Sequence, residues 1–278
     1  MKNESHNVII QNIMKKILFI LLTFFLSSLN GLNSSLETTT YDYSNSKIPS
    51  SFEGFRIVQI SDFHLKEFGE KEEILISAVK ECRPDIIVIT GDLIDENHTT
   101  LSPLVDLLNG IYNLAPIYYI SGNHEFAPDA ALHYQNMLAL FEEYQVINLD
   151  DSQTFLYRNG EKICLTGSMW RSKWVVEHLP FADQDYFNIL LYHGSNYFPL
   201  LSNFGYDLLF AGHIHGGVIR LPFLGGLFSN EGSLFPKYDA GVFTSGSFTM
   251  ISSRGLGDSR IPRFNNCPEL VCVILHHK

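Results

Sequence analysis

The sequence predicts an α/β protein that contains two β-sheets with helices packed against them. From Phe55 onward, short apolar runs alternate with helical stretches, and this alternation is typical of βαβ units. The later part of the chain is richer in strand patterns, which indicates a second sheet. Neither an internal repeat nor a linker interrupts residues 55–278, so we expect one domain there.

The strands of the first half are the clearest elements. Each is a short apolar run rich in Ile, Val or Tyr, and each ends in a cluster of Gly, Asp, Asn or His. In the segments between these runs, apolar residues recur at the spacing that is typical of amphipathic helices. The predicted strands are 55–61, 85–90 and 116–121, and the predicted helices lie near 74–79, 101–108 and 130–144.

The second half is predicted to consist mainly of strands. Most of its segments alternate apolar and polar residues, which is the pattern of half-buried strands, and two runs near 241–252 are spaced like a hairpin. The predicted strands are 154–157, 162–167, 185–192, 206–210, 241–246, 248–252 and 270–275.

The N-terminal segment has a different composition. Lys15 and Lys16 precede residues 17–29, which are largely apolar, and this order is typical of a secretory signal. Because no Ala-x-Ala cleavage site follows, residues 1–29 are predicted to be either a cleaved signal peptide or a retained signal-anchor. With the lysines inside, the domain lies outside the cytoplasm, secreted or anchored to the cytoplasmic membrane. Residues 30–54, rich in Ser, Thr, Asn and Tyr, are predicted to be a linker.

The chain is acidic, and this charge excludes one class of partner. Its 278 residues include 19 Lys+Arg and 30 Asp+Glu, a formal net charge of −11. Non-specific binding of nucleic acid needs Lys and Arg to neutralise phosphates, so we expect no nucleic-acid partner. The 45% hydrophobic content excludes a disordered chain. The acidity is compatible with carboxylates that hold cations.

Five predicted strands end in residues that bind metals. In an open α/β sheet, ligands occupy the crevice beyond the carboxyl ends of the strands, so these side chains are expected to converge. Carboxylates clustered in this way repel one another unless divalent cations neutralise them. The residues concerned are Asp62, His64, Asp92, Asp95, Asn123, His124, His193, His213 and His215.

The types of these residues indicate which ions they bind. Asp, Asn and His without Cys favour manganese, with iron or zinc as alternatives. The set is larger than one ion requires, and it fits two divalent ions about 3.5–4 Å apart that share a bridging carboxylate. The sequence therefore predicts a dinuclear metal site.

In order and spacing, these motifs resemble those of the calcineurin-like metallophosphoesterases. The motifs are Asp-Phe-His at 62–64, Gly-Asp-Leu-Ile-Asp at 91–95, Gly-Asn-His-Glu at 122–125, His193 and Gly-His-Ile-His at 212–215. The tail from Gly216 to Gly257 is similar to that of a bacterial branch, the YkuE/YaeI-type phosphoesterases, which is related to the UDP-2,3-diacylglucosamine hydrolases. The resemblance implies a four-layer α/β/β/α sandwich, in which two mixed sheets are flanked by helices.

The resemblance also implies a role for each motif residue. It gives His124 as the outer-sphere acid that protonates the leaving alkoxide or contacts a non-bridging oxygen, and Asp95 as the carboxylate that orients the His124 ring. The loop after His193 departs from the pattern, because many relatives have His-x-Pro where this chain has His-Gly-Ser. One metal would be held by Asp62, His64, Asp92 and His215, and the other by Asp92, Asn123, His193 and His213, with Asp92 as the bridge.

The implied activity is hydrolysis of a phosphoester, with a phosphodiester or a lipid-linked phosphate at the membrane surface as substrate. A hydroxide held between the two ions would attack phosphorus. One alternative is a UDP-2,3-diacylglucosamine pyrophosphatase of lipid A synthesis, which a domain outside the cytoplasm disfavours. The other alternative, from a different class, is a non-catalytic binding module on the same fold.

Three further features remain, and two of them have two interpretations each. Arg254 is a candidate contact for the substrate phosphate, or a salt-bridged surface arginine. The apolar, glycine-rich residues 221–228 form either a lip that meets a lipid or membrane, or a buried hairpin between core strands. Glu125 is interpreted as a carboxylate at the start of a helix, where the helix dipole favours a negative charge.

Overall fold

The structure is a computed structural model that describes residues 14–16, 35–96, 98–221, 223–258 and 261–278. The α-helices are α1 (Glu73–Cys82), α2 (Ser102–Ile111), α3 (Ala131–Glu143) and α4 (Phe198–Leu201). The strands are β1 (Glu37–Asn45), β2 (Phe55–Ile60), β3 (Ile86–Thr90), β4 (Ile117–Ile120), β5 (Ile147–Asn148), β6 (Ser152–Arg158), β7 (Glu161–Gly167), β8 (Asn188–Gly194), β9 (Leu208–Gly212), β10 (Ile219–Leu221), β11 (Gly225–Phe228), β12 (Gly241–Ser245), β13 (Phe248–Ser252) and β14 (Glu269–His277).

The strands form two mixed six-stranded sheets and one separate hairpin. The first sheet has the order β1-β14-β2-β3-β4-β5, the second has the order β12-β13-β9-β8-β7-β6, and β10 pairs with β11 alone. One apolar cluster fills the space between the two sheets. Two others cover the outer faces, under α1–α3 on the first sheet and under α4 with its neighbouring turns on the second. The predicted α/β/β/α sandwich is confirmed.

The direction of the central strands determines where their loops meet. In the first sheet β2, β3 and β4 are parallel, and in the second sheet β7, β8, β9 and β13 are parallel. β2, β3, β8 and β9 are buried along nearly their whole length, which explains their unbroken apolar sequences. Their carboxyl ends carry the predicted ligands and face one another across the two sheets.

The linker prediction for residues 30–54 is wrong for the part that the structure describes. Residues 37–45 form β1, which pairs in parallel with β14 from Glu37↔Glu269 to Asn45↔His277. The strand lies at the sheet edge, and its side chains alternate between exposed and half-buried positions. Thr, Tyr and Ser suit such an edge strand, although they give no apolar signal in the sequence.

The predicted leader at residues 1–29 lies almost wholly outside the described residues, and it stays a prediction. Within the described part of the chain, no helix is both long enough and apolar enough to cross a membrane. The described part of residues 221–228 belongs to the hairpin of β10 (Ile219–Leu221) and β11 (Gly225–Phe228), which is not buried between core strands: Phe223 and Leu224 are exposed. The buried-hairpin interpretation is therefore wrong.

Candidate metal centre

The loops after β2 and β3 carry three of the predicted ligands. Asp62, His64 and Asp92 have positive φ angles of 51°, 46° and 53°, a conformation that is strained for residues other than glycine. Backbone hydrogen bonds hold the two loops together: the Asp62 N–H donates to the Gly91 carbonyl, and the His64 N–H donates to the Asp92 carbonyl. The local conformation therefore turns these three side chains towards the same place.

The first ligand group consists of Asp62, His64 and His215, whose ligand atoms all lie within 4.8 Å of one another. Nε2 of His64 is 3.2 Å from Nε2 of His215, and Nε2 of His215 is 3.4 Å from Asp62 Oδ1. All three residues are buried. Two imidazole nitrogens and a carboxylate oxygen at these distances form a set that one divalent ion fits.

The second ligand group consists of Asp92, His193 and His213, again with ligand atoms within 4.8 Å of one another. Asp92 Oδ2 lies 3.0 Å from His193 Nε2 and 3.8 Å from His64 Nε2 of the first group. One oxygen of Asp92 thus faces both groups, which is the position of a bridging carboxylate.

Three buried atoms around the second group make no hydrogen bond among the described residues: His193 Nε2, His213 Nδ1 and Asn123 Oδ1. Asn123 follows β4 and precedes His124, whose N–H donates to Asp92 Oδ1 over 2.8 Å. Buried polar atoms nearly always find a partner. Asn123 Oδ1 and His213 Nδ1 lack a partner among the described residues, and His193 Nε2 faces the buried Asp92 carboxylate. A cation site requires such a set, and the residues present fit a metal ion.

The opposite ring nitrogens of two of these histidines are already engaged. His193 Nδ1 lies 2.7 Å from the Thr90 carbonyl oxygen, and His213 Nε2 lies 2.8 Å from Glu231 Oε1. Protons on those two nitrogens leave lone pairs on His193 Nε2 and His213 Nδ1, which are the two atoms without hydrogen bonds. Glu231 lies in the loop after β11, and the sequence offered no motif that pointed to it.

The two groups differ in their electrostatics. Burial lowers the pKa of His64, and burial together with the charges of His64 and Arg263 lowers that of His215, so both rings favour the neutral form that binds metals. Burial also opposes a charged His193, but Asp92 outweighs it and raises the pKa of His193 to about 10. Burial opposes ionisation of Asp92 as well, yet His193 and His64 hold its pKa well below the usual value. In the second group, a positive charge next to Asp92 therefore stabilises its buried carboxylate.

His124 stands at the edge of the two groups and is 27% exposed. Its ring meets that of His64 edge to face, with the centroids 4.7 Å apart. Its Nδ1 lies 2.8 Å from Glu96 Oε2. Burial lowers the pKa of His124, but the charges of Asp92 and Glu96 outweigh burial and raise it. One ring nitrogen of His124 also lies within 4.8 Å of ligand atoms of His64 and Asp92.

Glu96, rather than Asp95, makes this hydrogen bond to His124. Asp95 Oδ1 accepts hydrogen bonds from the backbone N–H of His98 at 3.1 Å and from its ring Nδ1 at 2.8 Å. Asp95 Oδ2 lies 4.0 Å from His64 Nδ1. The predicted role of Asp95 thus falls to the next residue, because the loop conformation, which the motif does not specify, decides which carboxylate reaches the ring.

Arg254, the predicted phosphate contact, is engaged in ion pairs with two carboxylates. Its Nη2 atom lies 2.7 Å from Glu37 Oε2 and 3.2 Å from Glu269 Oε1, so the salt-bridge interpretation is the one observed. Arg263 instead approaches the ligands, with Nη2 at 3.3 Å from His215 Nδ1. Its Nη1 atom is buried and makes no hydrogen bond within the described chain. Burial lowers the pKa of Arg263 to about 10, which still leaves it charged at neutral pH.

Glu125 acts as a buried clamp on the metal-binding loops. Its carboxylate accepts backbone hydrogen bonds from Gly122 at 2.7 Å, Asp92 at 3.0 Å and Leu93 at 2.7 Å. Burial and the charge of Asp92 raise its pKa to about 7. Glu125 therefore ties the loop after β4 to the loop after β3, which is more than the helix-start role expected from the sequence.

Glycines make the convergence of these loops possible. A Cβ atom on Gly212 would stand 2.1 Å from Ser61 Oγ and 2.3 Å from Asp62 Oδ2, and one on Gly91 would stand 2.8 Å from His193 Nδ1. These distances are far below van der Waals contact, so only glycine fits. The Gly-Asp and Gly-His pairs of the motifs thus have a steric cause.

Residues 55–217, which contain both ligand groups, match the family of calcineurin-like phosphoesterases. The chain belongs to this family. It is 31% identical over 262 residues to the metallophosphoesterase YkuE of Bacillus subtilis, which covers 86% of this chain and 85% of YkuE. It is 25% identical over 232 residues to the phosphodiesterase YaeI of Escherichia coli, which covers 80% of this chain and 82% of YaeI.

Among solved structures, the crystal structure of TT1561 from Thermus thermophilus matches with a TM-score of 0.43 and 13% identity. The match covers 72% of this chain and 88% of that chain. The family match and the two relatives confirm the resemblance seen in the motifs. This metallophosphoesterase is a hydrolase of phosphoric esters.

Proposed function

We propose that this metallophosphoesterase hydrolyses phosphodiesters with the help of two divalent ions. The observation that carries the proposal is the pair of ligand groups that share Asp92 Oδ2, which lies 3.0 Å from His193 Nε2 and 3.8 Å from His64 Nε2. The name of the relative YaeI, a phosphodiesterase, supports a diester rather than a monoester as substrate.

The ligand sets define what each group of residues does. Asp62, His64 and His215 would hold one ion, Asn123, His193 and His213 would hold the other, and Asp92 would bridge them. Two divalent ions at such a site supply positive charge to the phosphoryl oxygens and lower the pKa of water. The absence of cysteine from both sets favours manganese, with iron or zinc as alternatives.

His124 is proposed as the general acid. Glu96 holds its Nδ1 at 2.8 Å, and the raised pKa keeps the ring protonated nearer to neutral pH than an ordinary histidine. The Nε2 proton is then available for the leaving alkoxide. Arg263 is proposed to steady the phosphate beside the first ligand group, since its buried Nη1 has no hydrogen-bond acceptor among the described residues.

We place the reaction at or outside the cytoplasmic membrane, on a phosphodiester that is linked to a lipid. The apolar sequence after Lys15 and Lys16 supports this location, because it is typical of a signal peptide or signal-anchor. The exposed Phe223 and Leu224 support an apolar substrate, since they follow the last ligand motif closely in the chain.

The test compares two aryl phosphodiesters in the presence of saturating Mn²⁺. His124→Ala should lower kcat by about 100-fold or more on a phenyl diester, whose leaving group needs a proton, and by much less on a p-nitrophenyl diester. Metal content, measured by mass spectrometry, should stay at two ions per chain. His178→Ala replaces an exposed histidine and serves as the matched control.

An equal loss on both diesters would contradict the role of His124 as an acid, and wild-type protein without diesterase activity would contradict the proposed function. Glu96→Gln and Asp95→Asn separate the two neighbouring carboxylates. We expect Glu96→Gln, which removes the charge from the partner of His124, to lower the upper pKa of the pH–rate profile more than Asp95→Asn does.

A further inference from the structure

The hairpin β10–β11 and the loop that follows it carry an unusual set of exposed apolar side chains. Phe223 and Leu224, at the tip, have relative exposures of 107% and 67%. Leu234 pairs with Phe228 of β11, and the Phe235 N–H donates to the Leu227 carbonyl, so the loop lies along the hairpin. We call Phe223, Leu224, Leu234 and Phe235 the apolar rim; Leu234 and Phe235 are 67% and 57% exposed.

The segment that carries the apolar rim is attached to the second ligand group. Glu231 Oε1 lies 2.8 Å from His213 Nε2, and Asn230 Nδ2 donates to the His213 carbonyl over 2.7 Å. At the base of the hairpin, Arg220 Nη1 donates to the Gly216 carbonyl over 2.6 Å. The polar groups of the segment thus face the metal centre, and its apolar groups face outward.

The chain enters the domain at the same end. β1 runs parallel to β14 and β14 is antiparallel to β2, so the start of β1 lies at the end of the sheet where β2 delivers Asp62. Glu37 Oε2 contacts Arg254 Nη2, and the next residue, Gly255, packs so closely on Asp62 that a Cβ would stand 2.7 Å away. The first strand therefore begins beside the metal centre.

This position limits how far the domain can stand from the apolar residues 17–29. Residues 30–36 connect that segment to β1, and a seven-residue stretch spans at most about 25 Å when fully extended. If the apolar segment lies in a bilayer, the end of the domain that carries the metal centre faces the bilayer surface. The apolar rim is exposed at that end.

We propose that the apolar rim docks on the surface of a lipid bilayer and brings the metal centre to the phosphodiesters of the lipid headgroups. This inference rests on the proposed diesterase function and names its substrate class, a phospholipid within the membrane. Side chains such as Phe and Leu at the tip of an amphipathic segment bury themselves at the boundary between headgroups and acyl chains. The negative charge of the protein makes this apolar contact, rather than basic residues, the source of attachment.

The first experiment locates Phe223 in the full-length chain inserted in vesicles of phosphatidylcholine with a minor fraction of phosphatidylglycerol. Phe223→Cys carries an environment-sensitive fluorophore, and Tyr157→Cys is the matched control. Tyr157 is 71% exposed and lies next to the start of β7, at the opposite end of the sheet. The half-buried Cys267 is replaced by Ser in both variants.

We expect spin-labelled lipid to quench the fluorophore at position 223 and not at position 157, with no decrease at high salt. Equal, water-like fluorescence at both positions would overturn the proposal. Protection of position 223 from aqueous iodide without quenching by the lipid would show that a protein covers the rim, and would also overturn it. These readouts need no turnover, so they remain valid if the diesterase proposal fails.

The second experiment links docking to turnover. The ratio of activity on vesicle-borne fluorescent phosphatidylglycerol to activity on a soluble aryl diester should fall about tenfold in Phe223→Ser/Leu224→Ser, because two apolar anchors are lost. Tyr157→Ser should keep the wild-type ratio. An unchanged ratio in the double variant would overturn docking through the rim, whereas a wild-type protein inactive on both substrates would contradict the proposed function instead.

Discussion

Replacing Glu231 with Ala is predicted to weaken metal binding at one of the two ligand groups and not at the other. Glu231 Oε1 lies 2.8 Å from His213 Nε2, and its Oε2 accepts a hydrogen bond from Asn196 Nδ2 over 3.0 Å. The carboxylate thereby fixes the orientation of the His213 ring and keeps the proton away from Nδ1. Without it, His213 can turn and can present a protonated nitrogen to the ion.

The size of the effect follows from one hydrogen bond to a charged acceptor, which contributes about 1.5–3 kcal/mol. The Glu231 side chain is 39% exposed, so water competes for His213 and the lower end of the range applies. About 1.5 kcal/mol corresponds to roughly tenfold weaker binding. The first group, formed by Asp62, His64 and His215, has no contact with Glu231 among the described hydrogen bonds and should keep its affinity.

Titration of the metal-free protein with Mn²⁺ in a calorimeter measures the two affinities separately. Glu231→Gln keeps an oxygen that can accept from His213, so it should lose less affinity than Glu231→Ala. Glu142→Ala, an exposed change on α3, should lose none. Equal losses at both sites, or no loss at either, would refute the assigned role of Glu231.

Two further predictions concern stability. Gly212→Ala would place a Cβ 2.1 Å from Ser61 Oγ, so it should lower the free energy of unfolding by about 1–3 kcal/mol and reduce the metal content. Urea denaturation measures the first effect and metal analysis the second. Full metal content would contradict the steric argument. Burial raises the pKa of Glu72 from 4.5 to about 7. The stability that the neutral carboxyl allows is therefore fully present below pH 4.5, and it is lost as the pH rises through 7. Glu72→Gln should therefore flatten the decline in the free energy of unfolding between about pH 5 and pH 8 by at most about 3 kcal/mol. Glu70→Gln, a change at an exposed position, should leave the decline as it is. Urea denaturation at several pH values measures both, and an unchanged slope in Glu72→Gln would contradict the prediction.

The strand predictions were reliable where every residue of the strand is buried and therefore nearly always apolar. β3 and β9 are buried at every position, so their sequences are unbroken apolar runs with motif residues at the end. β1 escaped prediction because its place at the sheet edge demands no apolar residue, and its partner β14 lies more than 200 residues away in the chain. Only tertiary pairing, which no local pattern records, makes those residues a strand.

The site also has a part that the sequence predicts and a part that it does not. The ligands could be predicted because parallel strands must end at one edge, and the type of residue at each end states its chemistry. The carboxylates that support the ligands could not be predicted, because their roles depend on loop conformation. Glu96 and Asp95 are neighbours, yet only the observed turn shows which one reaches His124. Glu231 comes from a loop outside every motif, so only the folded structure brings it to His213.

Strain in the ligand loops explains why the supporting groups are so numerous. A residue other than glycine with positive φ costs about 1 kcal/mol or more, and such a conformation persists only where its surroundings enforce it. Here the Glu125 clamp, the tight packing on Gly212 and the hydrogen bond from the Asp62 N–H to the Gly91 carbonyl enforce it. The protein's own contacts hold these loops in place, so ion binding need not supply the free energy of ordering them. Changes in the clamp should therefore reduce metal affinity before they unfold the sheets. The ligand residues with positive φ are Asp62, His64, Asp92, His213 and His215.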